Sequence, residues 1–264
     1  MTGGKDMFDA AVDYGFHNHD AVIYDFSTRK PINKSDDGKT YDNRAGKKCE
    51  VYAFRDEDEI RRVIDVFDSR IERASKGAPR MIECRNKMLF VIGINIGIRA
   101  SDLRTLTWDF FFRQDDDGNL TFRDGYNLRP KKTQKSGKYV TLYFNDAVKK
   151  IVNWYVDMYP ISDVHGYVFK SRKGDGAMTV NAMWRVIKGA AQEAGIEVSV
   201  GTHTLRKTFG RFTYMNAKDK TQALVVLQKI FNHSSPAVTM NYIGLMNDEI
   251  TESFNGLNLG IDMI

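Results

Sequence analysis

The sequence predicts a mainly α fold with a small antiparallel β-sheet (α+β), and three observations point there. From residue 55 onward, long stretches carry apolar residues at helical spacing between recognisable caps. Between Trp108 and Phe144 that spacing gives way to turns flanked by short aromatic and β-branched segments. Residues 1–54 show neither pattern.

Asp, Asn, Lys and Gly dominate residues 1–54, with only scattered apolar positions such as Val22, Ile23, Tyr24 and Phe26. They read as a polar N-terminal arm, irregular or partly disordered, with one short strand. Asp56 with Glu59 is a capped helix start, and Ile60, Val63, Ile64, Phe67 and Ile71 fall on one face behind it. Pro79 opens a second helix, which breaks at Gly97, and Ser101-Asp102 then caps a short third carrying Leu103 and Leu106. Asp115 to Asn119 and Ser136-Gly137-Lys138 are turns, flanked by strand-like segments such as Leu120–Arg123 and Tyr139–Phe144. Asn145 starts a helix with Val148, Ile151, Val152, Tyr155 and Val156 on a common face. Tyr167-Val168-Phe169 is a further strand candidate. The remaining helices run from about Thr179 to Ala194, from near His203, from Thr221 to Phe231, and from Ser235-Pro236. Residues 55–264 thus form one predicted domain, with a C-terminal tail from about residue 245.

With 264 residues, 42% of them hydrophobic, the chain has enough apolar surface for one large domain or two small ones. The 39 Lys+Arg against 34 Asp+Glu leave a net charge of +5, which suits a polyanionic partner and a solvated basic surface about equally. Cys49 and Cys84 form neither a disulfide framework nor a zinc-type pair, so a reducing, cytoplasmic compartment is expected. The apolar run Met88–Ile98 is too short to cross a bilayer, and no membrane partner is expected.

Six polar side chains stand out. Arg99 follows Gly97-Ile98, and His203 and Arg206 share one helical face in Thr202-His203-Thr204-Leu205-Arg206. His233 lies in Asn232-His233-Ser234-Ser235, Tyr242 follows nine residues later in the chain, and Lys135 sits in Lys132-Thr133-Gln134-Lys135-Ser136-Gly137. Singly, each has an ordinary structural reading: a surface arginine, a helix-capping histidine, a solvated lysine turn, a core tyrosine. Together they fit attack on a phosphodiester by a phenol. Guanidinium groups stay ionised and offer forked donors to the charge that builds on phosphate oxygens. A phenol with a pKa of about 10 costs roughly 4 kcal/mol to ionise at neutral pH, which nearby cations or a base must offset. No carboxylate cluster or Cys/His set marks a metal site, and the reaction needs no cofactor.

In this order and context the residues resemble the tyrosine recombinase (phage integrase) family, over roughly residues 56–250. The stretch Leu227–Gly244 looks like the family's final box throughout, and Gly97–Leu106 and His203–Phe209 match two others. The resemblance implies the tyrosine recombinase catalytic-domain fold and a 3′-phosphotyrosyl intermediate on double-stranded DNA. It casts Tyr242 as nucleophile, His203 as base or orienting partner, His233 as a phosphate hydrogen bond, and Arg99 and Arg206 as phosphate clamps. Lys135 becomes the hairpin general acid, with Lys132 the alternative; Asp102 supports Arg99, and Lys131, Lys132, Lys138 and Lys207 are further DNA contacts. Four protomers would act on paired sites, from a weakly associating or monomeric free form, with a mobile element as the expected source. Two other readings keep the fold: a non-catalytic DNA-binding regulator, and a type IB-like topoisomerase.

The chain departs from the family pattern in three places. Asp102 stands where Glu is frequent, and Phe231-Asn232 where Leu-Gly is common before the second histidine. The N-terminal 54 residues cannot bury enough surface for the helical core-binding domain that relatives usually carry. The expectation is a catalytic domain cut from a longer protein, or a short member.

Overall fold

A computed structural model describes residues 51–131, 139–197 and 199–245, with the strand pairs at 24–25 and 30–31 and residues 251 and 254. The chain forms two compact units, Met1–Lys48 and Cys49–Ile264. In the first, β1 (Tyr24–Asp25) pairs antiparallel with β2 (Lys30–Pro31), where the sequence predicts a single strand.

The second unit opens with residues 51–54, which composition assigns to the arm. They run along the helical body instead: the Tyr52 amide donates to the Ser199 carbonyl, the Phe54 amide to the buried Thr208 hydroxyl, and the Phe54 ring is fully buried. One aromatic residue at the end of a polar segment suffices to draw the backbone into the core.

Helix α1 (Glu57–Arg73) starts as its sequence predicts. Asp56 accepts from the Glu59 amide at 2.8 Å, and Glu59 reaches back to the Arg55 amide, also at 2.8 Å. Val63, Phe67 and Ile71 form its buried stripe. Helix α2 (Ala78–Ile96) is buried along much of its length and packs on α1, α4 (Asp146–Met158) and α6 (Thr202–Asn216). It stops at Gly97, in the left-handed conformation at φ 68°. The short α3 (Ala100–Leu103) differs from expectation. Its N-cap is Arg99, without a side-chain cap bond, and Ser101 and Asp102 lie inside the helix.

The predicted sheet is two two-stranded ladders. β3 (Phe112–Gln114) pairs with β4 (Leu120–Phe122) around the Asp115–Asn119 turn, and β5 (Gly125–Leu128) pairs with β6 (Val140–Tyr143). β5 has no sequence signature, because Gly-Tyr-Asn-Leu is too short to show alternation. Tyr167-Val168-Phe169 is not a strand. Tyr167 makes one isolated bridge to Thr107, and the Val168 amide donates to the Leu106 carbonyl; no continuous neighbour extends the ladder.

α4, α5 (Val180–Glu193), α7 (Lys220–Phe231) and α8 (Pro236–Ile243) begin at Asn145, Thr179, Asp219 and Ser235, each of which accepts an N-cap bond. Among the described residues two apolar cores result. The larger runs from Phe54 to Leu205. The smaller holds Leu227, Phe231, Ile243 and Leu245, with Phe209 and Tyr242 packed against it. Helix α6 spans both, with Leu205 in the first and Phe209 on the second. Its polar residues therefore sit at the seam.

Candidate active site at the seam between the two cores

Arg206 is the centre of the seam. It is 4% exposed, and its guanidinium donates to the Gly97 carbonyl at 2.6 Å and the Phe231 carbonyl at 3.1 Å. Both acceptors end helices, where backbone carbonyls lack intrahelical partners. Gly97 is required at its position twice over: its φ is left-handed, and a Cβ there would lie 2.2 Å from Cδ1 of Phe209. Burial pulls the Arg206 pKa down to about 10, Arg99 adds to that by repulsion, and Tyr242 and Asp102 oppose it. It stays cationic at neutral pH.

Arg99 joins from the start of α3, its Nη2 donating to the same Phe231 carbonyl at 3.3 Å. One carbonyl thus ties two like charges together, an arrangement that favours an incoming anion. The turn presenting it is built locally. Asn232 takes the left-handed conformation at φ 52°; its amide donates to Lys229, and the His233 amide to Gln228. This is the paired bonding of a Schellman motif, with Asn in the place usually taken by Gly.

His203 and Tyr242 face each other across the seam, with His203 Nδ1 3.3 Å from the Tyr242 hydroxyl. Burial raises the Tyr242 pKa; the Arg206 charge, a hydrogen bond from Arg206 and the Arg99 charge pull it back. His203 keeps much of its surface open to solvent, yet its pKa is lowered, first by desolvation of the ring and then by Arg206, Lys207 and Arg99. The shift favours the neutral ring at pH 7. The His233 ring lies 5.1 Å from the Tyr242 ring, and its Nδ1 is 3.1 Å from the Thr239 hydroxyl.

Arg99, His203, Arg206, His233 and Tyr242 are thus brought together within one protomer. Asp102, expected to support Arg99, hydrogen-bonds elsewhere: its Oδ1 accepts from the Lys131 backbone amide at 3.0 Å, at the threshold of the lysine-rich segment. Lys207, read as a DNA contact, has its Nζ 5.4 Å from the centre of the Tyr242 ring. Lys132, Lys135 and Lys138 lie outside the described residues. Sequence reasoning missed Phe231, whose carbonyl binds both arginines. The one available signal was Phe-Asn in place of the family's usual pair.

Among the described residues there is no group of three or more His, Cys, Asp or Glu side chains able to hold a metal ion. No helix among them is long and apolar enough to cross a membrane.

Residues 54–248 match the profile of the phage integrase family. The chain is 35% identical over 164 residues to a probable integrase/recombinase, YoeC, of Bacillus subtilis, covering 62% of this chain and 80% of that protein. It is 25% identical over 187 residues to the tyrosine recombinase XerD of Shewanella oneidensis, covering 70% of this chain and 58% of the relative. The fold is similar to that of the XerA recombinase, with TM-score 0.54 and 22% identity over 78% of this chain and 66% of that one. It also resembles XerH site-specific recombinase bound to palindromic difH substrate in a post-cleavage complex, with TM-score 0.51 and 18% identity over 77% and 53% of the two chains. With the profile spanning the whole seam, from Phe54 beside Thr208 to the helix that carries Tyr242, this chain belongs to the phage integrase family and is a tyrosine-recombinase catalytic domain.

Proposed function

We propose that this chain is a site-specific DNA recombinase, serving a mobile element, that cuts and rejoins strands through a 3′-phosphotyrosyl intermediate. The observation that carries the reading is the Tyr242 hydroxyl held 3.3 Å from His203 Nδ1, where the charges of Arg206 and Arg99 both act on it. A phenol in that cradle is poised for a strand phosphate.

In the cleavage step the Tyr242 oxygen forms a bond to phosphorus as the bond to the 5′ oxygen breaks. The phenolic proton passes to His203, in the tautomer whose Nδ1 is unprotonated. Arg99 and Arg206 stabilise the charge on the non-bridging oxygens, a contribution of order 3 kcal/mol each in comparable sites. His233, its ring fixed through Thr239, donates to a phosphate oxygen. The departing 5′ oxygen takes a proton from Lys135, with Lys132 as the alternative. Asp102 contributes by anchoring the Lys131 amide, so that α3 and the lysine segment stay coupled. A 5′ hydroxyl from another strand reverses each step, and the ester conserves the bond energy. The XerH neighbour is bound to palindromic difH substrate; for this chain the proposed partner is double-stranded DNA, with four protomers acting on paired sites. Lys131, Lys132, Lys138 and Lys207 add to phosphate attraction that weakens as salt rises.

The test is a duplex nicked close to the scissile phosphate, on which the cut strand diffuses away and the covalent adduct accumulates. Wild-type adducts that vanish in Tyr242→Phe support the enzyme. Binding without adducts in either protein points to a DNA-binding regulator. Relaxation of supercoiled plasmid without exchange between two sites points to a topoisomerase.

A further inference from the structure

Residue 231 touches four of the groups on which the proposed reaction depends. Its carbonyl accepts from Arg99 and Arg206. Its fully buried ring lies 4.2 Å from the Arg206 guanidinium carbon, 5.4 Å from the His233 ring, and 5.4 Å from the Tyr242 ring at an interplanar angle of 70°. A guanidinium over a ring is drawn to its negative face, and an edge-to-face pair fixes the mutual tilt of two rings. The ring is backed closely from behind: a Cβ on Gly210 of α6 would come within 2.9 Å of its Cε2 and Cζ.

We propose that Phe231 is a positioning residue, whose ring sets the depth of the Arg206 guanidinium and the angle of the Tyr242 phenol. The proposal rests on the function argued above. Leucine would fill much of the same apolar space and keep the carbonyl, but it presents no π face to the guanidinium and no flat edge to the phenol. The nucleophile and the phosphate clamp would then lose their common reference surface, although the helix end that binds both arginines would stay in place.

The experiment compares the wild type with Phe231→Leu, Phe231→Met and Leu227→Val. The last loosens the same small core one helical turn before Phe231, at a side chain with neither a π face nor a polar group. Cooperative thermal unfolding, lowered by a similar amount in all three, and DNA affinity close to wild type show that each variant folds and binds. Single-turnover cleavage on the nicked duplex should be about ten-fold slower in Phe231→Leu and Phe231→Met, and unchanged in Leu227→Val. In parallel, NMR of carbon-13-labelled tyrosines, with Tyr242→Phe assigning the signal, should show Tyr242 ring flipping faster by about ten-fold in the Phe231 variants alone.

Equal slowing in Leu227→Val and Phe231→Leu, or an equally ordered Tyr242 ring in folded Phe231→Leu, overturns the proposal. Should the wild type form no adduct at all, the functional reading falls. The ring-flip comparison still decides the positioning role.

Discussion

Among the described residues two phenols lie beside buried arginines, and only Tyr242, the proposed nucleophile, also faces a second guanidinium. Tyr155 neighbours Arg85, and Tyr242 neighbours Arg206; the two arginines are 6% and 4% exposed. Burial pushes the Tyr155 pKa up to about 12, with Arg85 opposing and Cys84 and Tyr159 adding to it. Its ring stacks on Trp108 at 5.9 Å, and Arg85 donates from Nη1 to the Lys170 carbonyl and from Nη2 to the Asn86 side chain. That pair fastens the loop after α4 to α2. Around Tyr242 the same ingredients meet a second guanidinium, a neutral histidine and a helix-end carbonyl. Burial raises the pKa of both phenols, and around Tyr242 the charges of Arg206 and Arg99 offset part of that rise.

The largest expected contrast is between the two hydroxyls. Tyr242→Phe should abolish covalent adducts on a nicked duplex, and Tyr155→Phe should leave their yield unchanged, both read on denaturing gels. Comparable loss in both variants would erase the distinction. Next come the arginines. Arg206→Lys should slow single-turnover cleavage on the order of 10²-fold, because an ammonium cannot reproduce the forked geometry. Arg85→Lys should leave the rate alone and cost about 1–3 kcal/mol in stability through its lost hydrogen bonds, read by denaturant unfolding.

A smaller effect follows acidification. The folded pKa of His203 lies below its ordinary value because of desolvation and nearby cations. The unfolded chain therefore takes up its proton first, near pH 6.5, and this group's contribution to stability falls as pH drops through and below about 6.5. Cleavage should follow the folded value, staying flat from neutral pH and declining only at lower pH; His203→Gln should remove that acid limb from the pH–rate profile. The smallest effect concerns the turn that only the Tyr242 pair possesses. Asn232→Ala should lower stability by about 1 kcal/mol, since the left-handed conformation disfavours a Cβ. Asn232→Gly should be neutral or slightly stabilising. Thermal unfolding distinguishes the two.

Much of the fold was legible because its signals are local. Asp56, Asn145, Thr179 and Ser235 cap the helices they were read to start, and the Asp115–Asn119 turn joins two strands. Arg99, His203, Arg206, His233 and Tyr242 were legible as residue types in a recognisable order. β5, the lone Tyr167 bridge and the Phe54 anchor were not, because each exists only through a partner distant in sequence.

The linear chain alone determined where most of the longer helices start, the charge balance and the chemical kinds of group available, since these rest on spacing within a turn or two of backbone. Only the tertiary structure decided that His203 meets a phenol 39 residues away, and that one carbonyl at the end of α7 receives guanidiniums from residues 99 and 206. It likewise decided which of the two tyrosines, Tyr155 or Tyr242, faces converging positive charge. Such outcomes depend on how helices from two cores pack at their seam, where desolvation and charge are summed over every neighbour at once.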